Sequence, residues 1–292
     1  MGLIGIDRRH IRTILVVICF LVLVACSNDS HEGVTDSPDG VTIPDETISL
    51  FNGKDLSSFY IWLPKYGHED PDKVFTIVHD LDGEPAIRIS GQHYGGLITR
   101  KEYSNYKLVA EFRWGSQTWE PRKDRARDAG ILLHCKGEDG NAKNDFTSPW
   151  LRSVEYQIIE GGTGDIILVN GFDRGFEEII SPKLTVPVLE GQRVWNPEGA
   201  PTEFQKGRLD WQYRDASWKD VVDFRGAKDI EKPVGEWNTI EAVCVGGDVT
   251  YFLNGAKVNE GKNGSFTSGK LLFQSEGAEL FFRRIELQPI ER

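Results

Sequence analysis

The sequence predicts an all-β domain, either a sandwich or a barrel, and three observations support this. Apolar and polar residues alternate with a period of two in runs of strand length. Gly, Asn, Asp and Pro bound most of these runs, and helical periodicity is hard to find beyond about residue 48. Many short strands without intervening helices favour antiparallel sheets that pack on each other or close into a barrel.

The predicted strands recur along the chain beyond residue 74. They are 75–79, 86–90, 106–114, 130–135, 154–159, 165–169, 237–245, 248–253, 257–258, 270–274 and 279–287. Asn254-Gly255 separates two of these runs. It predicts a β-hairpin, because a type I′ turn needs a positive φ at both central residues.

The composition excludes several classes of protein. The chain has 292 residues, of which 39% are hydrophobic and 27% charged, enough apolar material for one large domain or two small ones. Its formal net charge is −11, so we expect no nucleic acid as partner, because phosphates need a basic surface. The 8 Trp, 8 Tyr and 15 Phe suit a sandwich core and flat platforms for sugar rings.

Residues 1–25 are predicted to be a lipoprotein signal peptide. Three Arg residues precede an apolar run over 14–24, which is shorter than the roughly 20 residues that span a bilayer. Ala25 stands directly before Cys26, as at a bacterial lipoprotein cleavage site, so Cys26 is the predicted site of acylation. The alternative is an anchor helix that is never cleaved. The lipoprotein interpretation places the protein in the bacterial cell envelope, on the periplasmic or outer-membrane face, held to the membrane by lipid alone.

Residues 26–47 are predicted to be a flexible tether, and 48–292 a single folded domain. The tether is polar, rich in turn residues and free of aromatic side chains. Within the domain, Cys135 and Cys244 lie in apolar runs, which favours buried free thiols, although an oxidising compartment permits a disulfide.

The stretch from about 187 to 233 interrupts the strand pattern. It holds several aromatic residues among Gly, Pro, Asp and Arg: Trp195, Phe204, Trp211, Tyr213 and Trp218. A structureless segment of this length in a compact domain is most often functional, as a lid or a rim. The alternative is an excursion that its aromatic side chains merely hold to the surface.

Side-chain parity places polar groups on one face of several strands. Because successive side chains of a strand point to opposite faces, Ser153, Glu155 and Gln157 share one face. The same rule pairs Leu132 with His134, Glu111 with Arg113, Gln274 with Glu276, and Glu279 with Phe281 and Arg283. If these strands are neighbours, their polar faces form one concave surface. The alternative is the ordinary polar outside of a sandwich, where Glu–Arg pairs across strands are mildly stabilising.

A set of motifs runs in order from about 49 to 290. It comprises Ser49-Leu-Phe-Asn-Gly-Lys-Asp-Leu56, Gly96-Leu-Ile-Thr-Arg-Lys-Glu-Tyr-Ser-Asn-Tyr-Lys-Leu108, Glu111-Phe-Arg-Trp114, Asp128-Ala-Gly-Ile-Leu-Leu-His134, Ser153-Val-Glu-Tyr-Gln-Ile-Ile-Glu-Gly-Gly-Thr-Gly-Asp165, Gly235-Glu-Trp-Asn-Thr239, Leu253-Asn-Gly255 and Leu272-Phe-Gln-Ser-Glu-Gly-Ala-Glu-Leu-Phe-Phe-Arg283. Together they resemble the 3-keto-disaccharide hydrolase family of secreted or lipid-anchored bacterial domains. The resemblance implies a concanavalin A-like or laminin G-like jelly-roll sandwich of two antiparallel sheets.

The resemblance also implies cleavage of glycosides whose ring carries a ketone at C3. The ketone acidifies the C2 proton, a base removes it, the C1 aglycone leaves by β-elimination, and water then adds. This chemistry needs a base, an electrophile at the developing enolate oxygen and an acid near the leaving group. Our hypothesis makes Glu155 and His134 the base and acid, with Gln157 and Arg113 as the groups that polarise the ketone.

Further residues are expected to contact the sugar. They are Glu111, Glu160, Asp165, Trp211, Gln274, Glu276 and Arg283, together with Arg113. Glu160-Gly-Gly-Thr-Gly-Asp165 is predicted to be a loop whose glycines allow close approach of a sugar, although ordinary hairpin geometry explains them equally well.

Several alternatives stay open. The sequence establishes no cofactor. A divalent cation is the alternative group to polarise the ketone, with His134 and Glu155 or Asp165 as ligands, although no metal motif with diagnostic spacing is present. The domain is alternatively a non-catalytic carbohydrate-binding module or a conventional glycosidase. Glu155, Gln157 and Glu160 resemble the Glu-x-Asp-x-x-Glu pattern of sandwich glycosidases, with Gln in place of the middle Asp. The expected partners are an oligosaccharide or glycoside substrate and a sugar 3-dehydrogenase that makes the ketone.

Overall fold

The structure, a computed structural model, confirms the predicted all-β class. It describes residues 34–36 and 40–291, which lie within one compact unit, and these residues contain strands, turns and bends but no helix. None of them therefore forms a helix long and apolar enough to cross a membrane. The predicted signal peptide and the acylation site Cys26 lie outside the described residues and stay predictions.

The described residues form strands β1 to β20 in chain order. Their bounds are β1 Val34–Asp36, β2 Val41–Pro44, β3 Ile48–Ser49, β4 Phe59–Trp62, β5 Phe75–Leu81, β6 Glu84–Ile89, β7 Gly95–Thr99, β8 Glu102–Tyr103, β9 Tyr106–Thr118, β10 Asp128–Lys136, β11 Arg152–Ile159, β12 Ile166–Val169, β13 Leu184–Val188, β14 Ala200–Phe204, β15 Gly207–Leu209, β16 Asn238–Val245, β17 Asp248–Leu253, β18 Ala256–Gly261, β19 Lys270–Ser275 and β20 Ala278–Pro289.

Two large antiparallel sheets make up the sandwich. One has seven strands in the order β15-β12-β11-β10-β19-β7-β4. The other has eight, in the order β18-β17-β16-β9-β20-β6-β5 with β3 paired to β20. Non-consecutive neighbours such as β10 and β19 show that the chain crosses between the sheets, as expected of a jelly roll.

The inner faces of the two sheets form one apolar core. Tyr156 of the seven-stranded sheet lies 4.5 Å, between ring centroids, from Tyr251 of the other sheet. Phe273 of the seven-stranded sheet also contacts Phe282 of the other sheet. Their rings pack edge to face, with centroids 5.3 Å apart. These inward positions follow the predicted parity, in which Val154, Tyr156 and Ile158 point away from Glu155.

The predicted hairpin at Asn254-Gly255 is confirmed. β17 and β18 pair across it, and Asn254 and Gly255 have φ angles of 49° and 81°, as a type I′ turn requires. Cys135 and Cys244 are both buried and free, as predicted.

The predicted domain boundary at residue 48 is wrong. β2 pairs with β8 in parallel, and its Thr42 side chain is buried, so the folded domain begins no later than Val41. The composition of this segment resembles a linker, but its Val-Thr-Ile-Pro run alternates like a strand and adds to an existing edge.

The stretch 187–233 is only partly irregular. β14 lies within it and pairs with β13, which begins before the stretch, and β15 extends the seven-stranded sheet beyond β12. The remainder is held down by ionic contacts. Asp220, for example, accepts hydrogen bonds from the Arg125 side chain at 2.7 Å and the Arg122 side chain at 3.2 Å. The segment is therefore held against the domain by these contacts and is not a free lid.

Replacing Phe282 by Ala tests the cross-sheet core. The Phe282 side chain is 1% exposed and contacts Phe273, so the cavity left behind should lower the free energy of unfolding by about 3–5 kcal/mol. Phe176→Ala is the matched control, because that side chain is 71% exposed, and we expect a change within about 0.5 kcal/mol. Urea denaturation measures both, and equal effects would contradict this account of the core.

Candidate active site

The outer face of the seven-stranded sheet carries buried polar groups. Glu155 and Gln157 point outward from β11 as the parity predicts, next to Leu132 and Gly130 of β10. An outward side chain on a sandwich normally meets solvent, yet Glu155 is only 4% exposed. The predicted polar surface is therefore a covered site rather than an open face.

The connection between β10 and β11 covers one half of this face. Leu151 from this connection packs on Leu132 and Leu272 in an apolar cluster separate from the main core. The Trp62 indole N–H donates to the carbonyl of Ser148 at 2.9 Å, which fixes the connection over the sheet.

Three carboxylates meet two arginines in the other half. Asp128, Glu155 and Glu276 interact electrostatically with one another and with Arg208, and Asp128 and Glu276 also interact with Arg122. The Arg122 guanidinium lies 3.0 Å from Asp128 Oδ2. We call these five residues the acidic cluster; its carboxyl groups outnumber its guanidinium groups.

Burial sets the protonation of the acidic cluster. It raises the pKa of Glu155 to about 8, helped by the charge of Asp128 and opposed by Arg208 and a hydrogen bond with Gln274. Burial also raises the pKa of Asp128, to about 6, because Arg122 and Arg208 only partly offset it. The pKa of Glu276 is raised well above its usual range by burial and by the charges of Asp128 and Glu155. At neutral pH the acidic cluster therefore retains protons.

Gly130 lies directly beneath the side chains of Glu155 and Gln274. A Cβ placed there would lie 2.4 Å from Glu155 Oε1 and 2.7 Å from Gln274 Oε1, so only glycine fits beneath these two side chains. Gln274 Oε1 is buried and has no hydrogen-bond partner among the described residues. It is an acceptor available to a ligand hydroxyl.

Two aromatic rings stand beside the acidic cluster. Tyr94 and Trp150 lie 6.2 Å apart between ring centroids, with their planes 30° apart. Burial raises the pKa of the Tyr94 hydroxyl, and the charge of Glu276 raises it further. Both rings are half-buried, which gives the site an apolar surface that suits the face of a sugar ring.

The prediction that His134 shares this face is wrong. A β-bulge shifts the register of β10 after Leu133, and His134 takes a φ of 54°. Its ring therefore points into the core, 5.7 Å from the Tyr106 ring of the other sheet. Burial lowers the pKa of His134 to about 4, and Phe266 O is its only hydrogen-bond contact among the described residues.

Glu111, Arg113 and Arg283 belong to the other large sheet. Arg283 pairs with Glu111 at 2.7 Å, and Arg113 pairs with Asp82 at 2.6 Å, on the outer face of the eight-stranded sheet. The expectation that they share one hollow with Glu155 is wrong. Parity separates inward from outward side chains but does not say which of the two sheets a strand joins.

Glu160, Asp165 and Trp211 are buried in structural contacts. The Arg127 guanidinium pairs with Glu160 at 2.7 Å. The Trp211 indole is part of the main core and only 2% exposed, so the prediction that it is a sugar platform is wrong.

Asp165 has an indirect connection to the site. It is fully buried, forms an ion pair with Arg214, and accepts a 2.8 Å hydrogen bond from Arg208. Because Arg208 also belongs to the acidic cluster, Asp165 positions a cationic group there.

The expected metal ligands do not converge. His134 lies on the opposite face of the sheet from Glu155, and Asp165 is occupied by two arginines. Within residues 40–291, no three His, Cys, Asp or Glu side chains are arranged to hold a metal ion.

Sequence reasoning brought together Glu155, Gln157, Gln274 and Glu276, and it missed Asp128, Arg122 and Arg208. Asp128 has the same parity as Gly130 and Leu132, so extending the predicted strand by two residues would have found it. Arg208 lies in the irregular stretch, where no periodicity indicates the direction of a side chain.

Glu155→Gln tests the protonation of the acidic cluster. Because folding raises this pKa from about 4.5 to about 8, the folded state holds the proton more tightly, and stability falls as the pH rises between these values. The variant lacks this contribution, so the wild type should lose stability relative to Glu155→Gln between pH 5 and pH 8.5. Urea denaturation at both pH values measures the difference, and an unchanged difference would argue against a buried titrating Glu155.

Comparison with known proteins assigns the chain to a family. The sequence profile of the 3-keto-alpha-glucoside-1,2-lyase-like domain matches residues 46–288. No curated protein sequence matches significantly.

Solved structures resemble the chain more distantly. A candidate glycosyl hydrolase from Parabacteroides distasonis is 20% identical, with a TM-score of 0.45 over 84% of this chain and 94% of its own. A β-glucanase from Bacillus licheniformis is 7% identical, with a TM-score of 0.39 over 84% of this chain and 99% of its own. The profile match covers most of the chain and agrees with the ordered motifs, so the protein belongs to the 3-keto-alpha-glucoside-1,2-lyase-like family.

Proposed function

We propose that the protein cleaves glycosides that carry a ketone at C3, by elimination of the C1 substituent followed by addition of water. The observation that carries this proposal is the buried acidic cluster, in which the pKa values of Asp128 and Glu155 are raised to about 6 and about 8. Membership of a family described as 3-keto-alpha-glucoside-1,2-lyase-like supports the choice of substrate.

The reaction requires movement of a proton and breaking of one C–O bond. A base takes the C2 proton, the electrons form a C1–C2 double bond, and the C1–O bond breaks with a proton delivered to the departing oxygen. Water then adds to the unsaturated ketone, with OH at C1 and H at C2, giving the free 3-keto sugar and the aglycone. General acid–base groups near neutral pH suit both steps.

Glu155 is the proposed base. Its pKa of about 8 makes its carboxylate more basic than an ordinary one, and about a tenth of the molecules are ionised at pH 7. Its carboxyl group packs over Gly130 beside the side-chain amide of Gln274. Glu276 is the proposed acid, because its raised pKa keeps it protonated and its side chain is half-buried at the edge of the site.

Arg208 is the proposed electrophile for the enolate oxygen. Its side chain is 32% exposed and its charge acts on Glu155 and Asp128. The sequence predicted Arg113 in this role, but Arg113 lies on the other sheet. Gln157 does not polarise the ketone in this arrangement, because its amide group donates to Asp128 Oδ1 and to Ala129 O and so orients Asp128.

A conventional glycosidase is the second candidate. Retaining and inverting glycosidases use a protonated carboxyl next to an ionised one, and Glu155 and Asp128 have raised pKa values of about 8 and about 6. The binding-module alternative has less support, because Trp195 and Trp211 of the aromatic stretch are buried in the core.

Partners and location follow as further parts of the proposal. The substrate is an oligosaccharide or glycoside, and a sugar 3-dehydrogenase supplies the ketone. The protein is anchored by lipid at Cys26 in the cell envelope. The net charge of −11 supports a partner other than nucleic acid.

Turnover of a 3-keto-glucoside by Glu155→Gln tests the role of this residue. Loss of the base should lower kcat by about 10² to 10⁴ at pH 7, and the wild-type rate should rise with pH towards about 8. Glu111→Gln is the matched control, because it removes a carboxylate from the other sheet, and it should stay within a few-fold of wild type.

The same assay with the unoxidised glucoside separates the two candidate functions. Cleavage that requires the C3 ketone supports the elimination. Equal cleavage of the unoxidised glucoside supports the conventional glycosidase and contradicts our proposal, as would a Glu155→Gln variant with wild-type turnover of the 3-keto substrate.

A further inference from the structure

A cavity opens at the β4 edge of the seven-stranded sheet. Its volume is about 630 Å³, within the usual range for small-molecule sites. Leu56, Tyr60, Ile61, Arg100, Asp139 and Lys270 contribute to its lining. We call it the edge cavity.

The edge cavity is separate from the acidic cluster. Lys270 and Gln274 lie on the same strand, β19, four residues and therefore roughly 13 Å apart. Leu272, between them, is buried beneath Leu151 in the apolar cluster under the β10–β11 connection. A ligand in the edge cavity would therefore not displace one held at the acidic cluster.

A chain of hydrogen bonds fixes Lys270 at the edge cavity. The Tyr60 hydroxyl donates to Asp139 Oδ1 at 2.8 Å, and Lys270 Nζ donates to the Tyr60 oxygen at 3.1 Å. Burial and the charge of Asp139 raise the pKa of Tyr60, which keeps its hydroxyl protonated. His68 lies 3.0 Å from the other Asp139 oxygen, so both oxygens of this carboxylate have partners.

Two cations of the edge cavity lack an acidic partner. Neither Lys270 nor Arg100 forms an ion pair with any residue in the described part of the chain. Lys270 uses one of its three N–H groups on Tyr60, and Arg100 uses its Nε–H on the carbonyl of Ser57 at 3.1 Å. Unpaired N–H donors on both side chains are therefore available, in a protein whose net charge is −11.

Part of the lining of the edge cavity is apolar. Leu56 and Ile61 are half-buried and line the space that Lys270 and Arg100 also line. A ligand that satisfies both the cationic and the apolar lining carries an anionic group and an apolar ring. We propose that the edge cavity binds a small aromatic carboxylate, with its carboxylate towards Lys270 and Arg100 and its ring against Leu56 and Ile61.

Calorimetric titration of the full protein with 4-hydroxybenzoate tests this proposal. Wild type should bind 4-hydroxybenzoate at least about tenfold more tightly than the neutral 4-hydroxybenzamide, because the charged hydrogen bonds depend on the carboxylate. Lys270→Met should weaken binding about tenfold or more, and Lys101→Met is the matched control. Lys101 is an exposed lysine that does not line the edge cavity, and its replacement should leave the Kd unchanged.

Two further arms keep the outcome interpretable. Arg100→Gln changes an exposed side chain, so it should fold like wild type and also weaken binding. Glu155→Gln should leave binding unchanged, whether or not the proposed elimination is correct. Equal affinity for acid and amide, unchanged affinity in both Lys270→Met and Arg100→Gln, or tighter binding of glucuronate than of 4-hydroxybenzoate would overturn the proposal.

Discussion

The free-energy cost of burying carboxyl groups on an outward sheet face governs the candidate site. Removing an ionised carboxylate from water costs several kcal/mol unless paired groups offset it. The acidic cluster has three carboxyl groups, on Asp128, Glu155 and Glu276, but only two arginines. One of these, Arg122, also donates a hydrogen bond to Asp220. The protein meets this cost by raising carboxyl pKa values and keeping protons in the cluster. Protonated and ionised carboxyl groups side by side are what acid–base catalysis needs.

The rest of the fold holds this arrangement in place. The sandwich core fixes β10, β11 and β19 as neighbours, and the β10–β11 connection excludes water from one side. The long stretch after β13 supplies Arg208. The buried Asp165 holds Arg208 in position by accepting a hydrogen bond from its guanidinium. This stretch therefore contributes to the site through charged anchors, whereas its aromatic residues Trp195 and Trp211 serve the core.

Part of this could be predicted from the sequence, and the reasons for the rest are physical. Alternation fixed the direction of Glu155 and Gln157 because β11 is regular over its length. It failed at His134, where a bulge adds a residue and reverses the parity that follows. It could not separate Glu111 from Glu155, since both point outward but from opposite sheets. The ordered motifs identified the family, which no single strand pattern could do.

The most direct test of the account is a crystal structure of the Glu155→Gln protein soaked with a 3-keto-glucoside, because this variant should retain the substrate. We expect the sugar ring at the acidic cluster, with a hydroxyl donating to Gln274 Oε1 and the C3 ketone towards Arg208. A sugar found instead on the outer face of the eight-stranded sheet, beside Arg113 and Arg283, would contradict the assignment of the acidic cluster as the active site.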